Sequence, residues 1–200
     1  CGIRKNRTKK DLALIYSETE CAVGCTYTQN KVYGAPITVT RENVKNGKAK
    51  AIVCNSGNAN TCNANGVEIA QQMCLLTGQA LGIDPGDVVV ASTGVTGQPP
   101  STDSCEGIMT TDTYPKQAAY EFTLGGATCH IVAIAKGSGM IHPNMATMLA
   151  FLTTDVAITP ALLQKAVSAV VDDTFNMVSV DGDTSTNDML SVLANGLAGN

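Results

Sequence analysis

The stretch "KGSGMIHPNMATMLAF", residues 136–151, holds the residue types in this chain best suited to covalent chemistry. Lys136 precedes two glycines that flank Ser138, and Ala146-Thr147 precedes an apolar run. A threonine hydroxyl is a weak nucleophile until a base takes its proton. The most economical base is the threonine's own α-amino group, freed by cutting the bond before it. That amine has an ordinary pKa of about 7.7–8.0, so about a tenth to a sixth is neutral at pH 7, while a lysine at about 10.4 offers far less free base. Such a site asks for a small residue before the threonine, a rigid element to hold it, and donors for the oxyanion. Ala146-Thr147-Met148 meets the first two requirements, because residues 147–155 read as a strand. An Ala-Thr step at a strand start is also an ordinary structural pattern, so spacing alone leaves Thr147 open between nucleophile and scaffold.

Other chemistries find less support. "NGKAK" (46–50) lacks the glycine spacing and the Ser/Thr after lysine that a phosphate-binding loop needs, and "STGVTG" (92–97) contains no G-x-G-x-x-G. "DGDTSTND" (181–188) places Asp181 and Asp183 at calcium-loop spacing, but Thr186 stands at the loop's glycine position and Val192 at the closing glutamate position, so a turn with side-chain caps is the better reading. The two histidines, His130 in a strand pattern and His142 before Pro143, are a poor basis for a metal site or a serine triad. Ser56 and Ser138 both lack the glycine two residues upstream that a nucleophile elbow requires. Neither a metal nor a cofactor is expected. The eight cysteines contain no CxxC pair and mostly lie within apolar segments. They read as small buried hydrophobes of a reduced, cytoplasmic protein rather than a disulfide framework.

The bulk composition agrees. Of the 200 residues 44% are hydrophobic and 15% charged, which excludes a disordered chain, and the net charge of −4 speaks against a nucleic-acid-binding face. The basic residues Arg4, Lys5, Arg7, Lys9 and Lys10 read as a solvated loop. No apolar run approaches the roughly 20 residues a membrane-spanning helix needs, and no signal peptide opens the chain. A start at Cys1 and an end in "LANGLAGN" read as a fragment.

Several elements must position these residues. Strands are expected at 11–17, 37–40, 49–54, 87–92, on both sides of Gly125-Gly126 within 119–135, at 147–155 and at 175–180. Helices are expected at 66–81, with Ile69, Met73, Leu76 and Ala80 on the buried face, and after Thr159-Pro160, with Leu163, Ala166, Val167 and Val170 inward. "STNDMLSVLANG" (185–196) reads as a final helix with a glycine stop. Strands cluster without strict alternation with helices, which favours a layered α+β fold.

Taken together, "AIVCNSGNAN" (51–60), "STGVTG" (92–97), "IMTTDTYPK" (108–116), "AKGSGMIHPNMATMLAFLTTD" (135–155) and "VDGDTSTND" (180–188) occur in the order of one known family. In these motifs the chain resembles the ornithine acetyltransferases, the bifunctional glutamate N-acetyltransferases of arginine biosynthesis. The resemblance implies an α/β/β/α sandwich and a precursor that cuts itself between Ala146 and Thr147 into two chains that stay associated, the first ending at 146 and the second beginning at 147. Thr147 would then take an acetyl group from N-acetylornithine and pass it to glutamate, with acetyl-CoA a donor in some members. The resemblance further implies that Thr93 and Gly94 form the oxyanion hole and that Thr110, Lys136 and Thr147 contact substrate. Gly137 and Gly139 let the Lys136 loop approach a ligand, and a cation there suits an amino acid's α-carboxylate.

Three departures accompany it. Only "QPPSTDSCEG" (98–107) joins "STGVTG" to "IMTTDT", where the family has a longer, helical segment. Thr96 replaces a usual isoleucine. The family domain also continues well beyond residue 200, with further substrate-site residues, so the domain over 1–200 is partial. Two alternatives stand beside the transferase: an aminopeptidase or amidase using the same self-processing, and a non-catalytic structural fragment. Small-molecule substrates and an oligomer of two-chain units are the expected partners.

Overall fold

The computed structural model describes residues 10–94, 108–110, 112–141 and 148–200. Its strands are β1 (Leu12–Tyr27), β2 (Lys48–Asn55), β3 (Val88–Ser92), β4 (Lys116–Leu124), β5 (Ala127–Lys136), β6 (Leu149–Thr154) and β7 (Met189–Ala194). Its helices are α1 (Ala35–Asn43), α2 (Gly66–Leu81) and α3 (Pro160–Val170). The strands form one mixed sheet in the order β3-β2-β1-β7-β6-β5-β4, with β2–β3 and β6–β7 parallel and the other pairs antiparallel.

The alternation of side chains along these strands builds the layers. Ile52, Cys54, Val89, Ala91, Val23, Leu149, Phe151, Met189 and Leu193 point to one face and join a single core cluster. That cluster spans β3 at one edge and β6 near the other, so the sheet curls and its two halves pack face to face. The opposite face carries helices. Residues Val39, Ala70 and Cys74 of α1 and α2 pack on Ala51, Val53, Val88 and Val90, while Leu163 and Val167 of α3 pack on Ala150, Leu190 and Val192. Helices outside, sheet halves inside: this is the layered α+β arrangement that the sequence pattern and the resemblance led us to expect.

Five expectations change. "ITVT" (37–40) lies in α1, not in a strand. Pro36 presets the first helical turn, and the Thr40 hydroxyl donates to Val90 O at 2.7 Å while accepting from Val90 N–H at 2.9 Å. A helical threonine thereby satisfies the outer side of edge strand β3, where β-branched residues had suggested a further strand. Replacing the buried Thr40 with valine is expected to orphan both Val90 groups at about 1–3 kcal/mol each. A lower urea midpoint at unchanged m-value checks it.

Residues 185–196 contain β7 rather than a helix. Every residue of β7 is buried between β1 and β6, and that pairing overrides the helix propensity of Met and Leu. Residues 175–180 form a short 3₁₀ turn at Phe175–Met177 and then exposed chain. The buried stripe of α2 is Gly66, Ala70, Cys74 and Gly78, whereas Leu76 and Ala80 face outward. Small residues, not the large apolar ones, let α2 lie close to its neighbours. On α3, Leu163 and Val167 are buried as expected, and Ala166 and Val170 are exposed.

The hairpin at Gly125-Gly126, both with positive φ, forms as read, and Thr159 caps α3 by accepting from Leu162 N–H at 3.4 Å. Cys21, Cys25, Cys54, Cys74 and Cys129 are buried free thiols, and Cys62 is exposed. Cys1, Cys105, the basic residues from Arg4 to Lys9 and the 98–107 connection lie outside the described residues. Among the described residues no helix is long and apolar enough to cross a membrane.

Candidate active site

Curling of the sheet brings the end of β3 to the end of β5. Lys136, the last residue of β5, is 3% exposed, and its Nζ donates to Thr93 Oγ1 at 3.1 Å and to Thr110 Oγ1 at 3.3 Å. Three of the residues singled out in the sequence therefore meet at one point, although 43 residues separate Thr93 from Lys136 in the chain. Because both hydroxyl oxygens accept from lysine, each threonine keeps its own proton to donate elsewhere. Burial pulls the Lys136 ammonium below the usual lysine range, and the negative charge of the nearby Asp112 carboxylate opposes that pull.

Gly94 follows directly. Its φ of +116° lies where L side chains rarely go, and a Cβ there would come within 2.6 Å of Ser56 O and 2.8 Å of the Gly57 carbonyl carbon. The turn after β3 thus presses its backbone against the "NSGN" loop. Thr93 N–H donates to Asn55 O at 2.8 Å, and Asn58 N–H donates to Asn55 Oδ1 at 3.0 Å. The loop before β7 closes the clamp. Asn187 Nδ2 donates to Ser92 O at 2.9 Å and also to Ala59 O, and Thr61 donates to Asn187 Oδ1 at 2.6 Å.

Residues to which the sequence reading assigned no role carry much of this order. Asp112 ties three pieces together: it accepts from Gly137 N–H at 2.8 Å and from Thr110 N–H at 3.3 Å, and it pairs with Lys116 at 2.5 Å. Burial raises its carboxyl, but Lys116 and these two backbone donors outweigh that and hold it below the usual carboxylate range. Asp181 accepts from Met140 and Ile141 N–H, so the "DGD" segment caps the loop after Lys136, the structural turn foreseen in place of a calcium site. These residues lie inside the motifs "IMTTDT" and "VDGDTSTND", but a partner 25 or 41 residues away leaves no local signal.

Ala146 and Thr147, the proposed cleavage pair, lie outside the described residues, as do His142 and Thr96. Met148 is described, and its carbonyl accepts from Met189 N–H at 3.1 Å. Lys136 pairs with Leu149 in the β5–β6 ladder, so the start of β6 stands beside the lysine.

Comparison with known proteins agrees with this arrangement. The ArgJ family model matches residues 1–200. The arginine biosynthesis bifunctional protein ArgJ of Symbiobacterium thermophilum is 51% identical over 213 aligned positions, covering 96% of this chain and 53% of the relative. That of Bacillus subtilis is 46% identical over 220, covering 100% and 54%. Both alignments are longer than this chain's 200 residues, so each relative carries inserted residues relative to it. The chain spans about half the length of these relatives.

Among solved structures, the ArgJ protein of Bacillus halodurans superposes with a TM-score of 0.62 at 35% identity, covering 72% of this chain and 86% of the other. An L-aminopeptidase D-Ala-esterase/amidase from Ochrobactrum anthropi, described as a variant of the Ntn hydrolase fold, shares the fold alone, with a TM-score of 0.53 at 15% identity over 96% of this chain and 68% of the other. With a family match over its whole length and a polar centre assembled from that family's ordered motifs, the chain belongs to the ArgJ family.

Proposed function

We propose that the full-length protein is a glutamate N-acetyltransferase of arginine biosynthesis, carrying the acetyl group of N-acetylornithine to glutamate through an acetyl ester on Thr147. The observation that carries this reading is the meeting of the Lys136 ammonium with the Thr93 and Thr110 hydroxyls beside the start of β6. In the proposed reaction Thr147 Oγ attacks the acetyl carbonyl while its freed α-amine accepts the hydroxyl proton. The Thr93 hydroxyl and the Gly94 N–H hold the oxyanion, a contribution of about 2.7–4 kcal/mol for each such donor. Lys136 and Thr110 receive the substrate's carboxylate, a charge-assisted contact in a largely dry site. Ornithine then leaves, and the amine of glutamate attacks the ester carbon, restoring the threonine hydroxyl. No protein cofactor enters this scheme.

Cleavage between Ala146 and Thr147 would precede catalysis, giving a chain through residue 146 and a chain from residue 147. Their common sheet supports continued association, because β6 and β7 of the second chain pair with β5 and β1 of the first. Acetyl-CoA as a second donor, a cytoplasmic setting for the free thiols, and an oligomer of two-chain units belong to the same proposal.

The test is an acyl-enzyme experiment. Full-length protein incubated with N-acetylornithine is expected to gain one acetyl group on the piece that begins at Thr147, read by mass spectrometry. Added glutamate should then discharge it as N-acetylglutamate. Discharge only as free acetate would replace the transferase reading with a hydrolase.

A further inference from the structure

The Thr93–Gly94 turn is held at both ends of one peptide plane. Ser92 C=O and Thr93 N–H belong to the same rigid unit. Thr93 N–H donates to Asn55 O at 2.8 Å, and Ser92 O accepts from Asn187 Nδ2 at 2.9 Å. Fixing that plane fixes where the Thr93 side chain leaves the strand and where the next peptide, which carries the Gly94 N–H, can point. Asn55 is the partner of Ser92 in neighbouring β2, so its contact is ordinary sheet pairing. Asn187 comes from the loop before β7, 95 residues away in the chain.

The surroundings of Asn187 ask for an amide of this length. Both Nδ2 hydrogens go to carbonyl oxygens: Ser92 O at the end of β3, and Ala59 O just after the Ser56–Asn58 backbone that Gly94 presses on. Oδ1 accepts from the hydroxyls of Thr61 and Thr186. A carbonyl oxygen only accepts, so the nitrogen must face the two carbonyls and the oxygen the two hydroxyls. The side chain is buried, and Gly34 lies flat against it: a Cβ on Gly34 would come within 2.7 Å of Nδ2 and 3.0 Å of Oδ1.

Asn187 itself stands on the middle of the sheet. The carbonyl of the next residue, Asp188, accepts from Thr28 N–H at 3.0 Å, and Met189 pairs with Tyr27 of β1 and Leu149 of β6. β3, by contrast, is an edge strand. One side chain thus lets the central strand steady the end of the edge strand.

We propose that Asn187 is a positioning residue for the acyl transfer. By pinning the Ser92–Thr93 peptide it holds the Thr93 hydroxyl and the Gly94 N–H where they meet the oxyanion, and it touches no substrate itself. The inference rests on the oxyanion reading of that turn given above. Asn187 and Thr186 lie in the piece that the proposed cut would separate from Ser92, Ala59 and Thr61, so the tie also spans the two pieces.

The experiment measures acetyl transfer from N-acetylornithine to glutamate by the full-length protein as wild type, Asn187→Ala, Gly94→Ala and the double variant. The kcat is expressed per chain that takes up acetyl, so a lower folded fraction, the effect of a merely structural asparagine, drops out. Asn187→Ala is expected to lower kcat about 10²-fold, the scale of a displacement of about 1 Å at a reacting centre. KM should hardly change, because Lys136 ends β5 and Thr110 is held by Asp112, not by Asn187. The double variant should lose little more than Gly94→Ala alone, since a turn already displaced cannot be displaced again. A folded Asn187→Ala protein with wild-type kcat overturns the inference. Losses that multiply in the double variant also overturn it, because Asn187 would then act elsewhere.

Should the alanine variant not fold, Asn187→Asp takes its place. A carboxylate there has the shape of the amide but no hydrogen for either carbonyl, and protonation supplies one. Burial raises such a carboxyl toward the assay range. Its kcat relative to wild type is therefore expected to rise as pH falls from about 8 toward about 5, and a ratio that ignores pH overturns the inference. Wild-type kcat in Gly94→Ala would instead refute the oxyanion reading on which the inference rests.

Discussion

Replacing Thr147 with alanine is expected to leave the full-length protein as a single uncut chain with acetyl transfer reduced by a factor on the order of 10⁴–10⁶, the scale of losing a nucleophile or its base. Alanine removes only the hydroxyl and methyl, so folding should be preserved. Both proposed functions of the residue disappear together, because the hydroxyl that attacks the Ala146 carbonyl is the one that later attacks the acetyl carbonyl. Denaturing gels, N-terminal sequencing and an acetyl-transfer assay on the same sample check the expectation. Thr147→Ser supplies the control: it keeps the hydroxyl and, after cleavage, the α-amine, and so should cut and transfer measurably. Cleavage or full transfer by the alanine variant would remove Thr147 from the mechanism.

The second large effect is expected at Gly94. Alanine there must adopt a φ near +116°, a conformation costing about 1–3 kcal/mol for a residue with a Cβ. The new methyl would also sit within 2.6 Å of Ser56 O and 3.0 Å of Asn58 N, backbone atoms that cannot rotate aside. The turn after β3 must then open, displacing the Gly94 N–H from the place where an oxyanion would sit. Loss of one such donor costs about 2.7–4 kcal/mol in the barrier, or about 10²–10³ in kcat. Kinetics should show kcat falling much further than KM changes. Gly82→Ala is the matched comparison: its φ is +68°, nothing lies within 4 Å of the added Cβ, and it caps the end of α2 rather than forming the turn after β3. That variant should lose about 1–2 kcal/mol of stability and keep wild-type kcat. Equal effects of the two substitutions on kcat would show that Gly94 matters only for folding.

How legible the molecule is from its sequence depends on where each residue's partner lies. α2 ends where Gly82 enters the left-handed region, and the β4–β5 hairpin turns at two glycines of positive φ. Such signals act over a few residues and can be read along the chain. The errors fall where partners are distant. "ITVT" looked like a strand because Ile, Val and Thr favour one, yet Thr40 is the hydroxyl that completes β3, 50 residues away. "MLSVLA" looked like a helix because Met, Leu and Ala favour one, yet β1 and β6 enclose it on both sides. The same holds at the site. Thr93, Thr110 and Lys136 were found through their motifs, while Asp112 and Asn187 emerged only when the curled sheet placed them against those motifs.

The sequence by itself determined the chemistry on offer: a threonine behind a small residue, a lysine between a strand and a glycine loop, and the order of motifs that marks the family. It determined the layered α+β class as well, through clustered strands with buried faces. Tertiary structure alone decided that β3, at one edge of the sheet, and β5, next to the other edge, bring Thr93 to 3.1 Å from Lys136. Only tertiary structure placed Asp112, 25 residues from Gly137 in the chain, where it ties that loop to Thr110 and Lys116. The reason is physical. Propensity and turn chemistry act between near neighbours along the chain, whereas burial and charge depend on what the closed sheet places beside a residue.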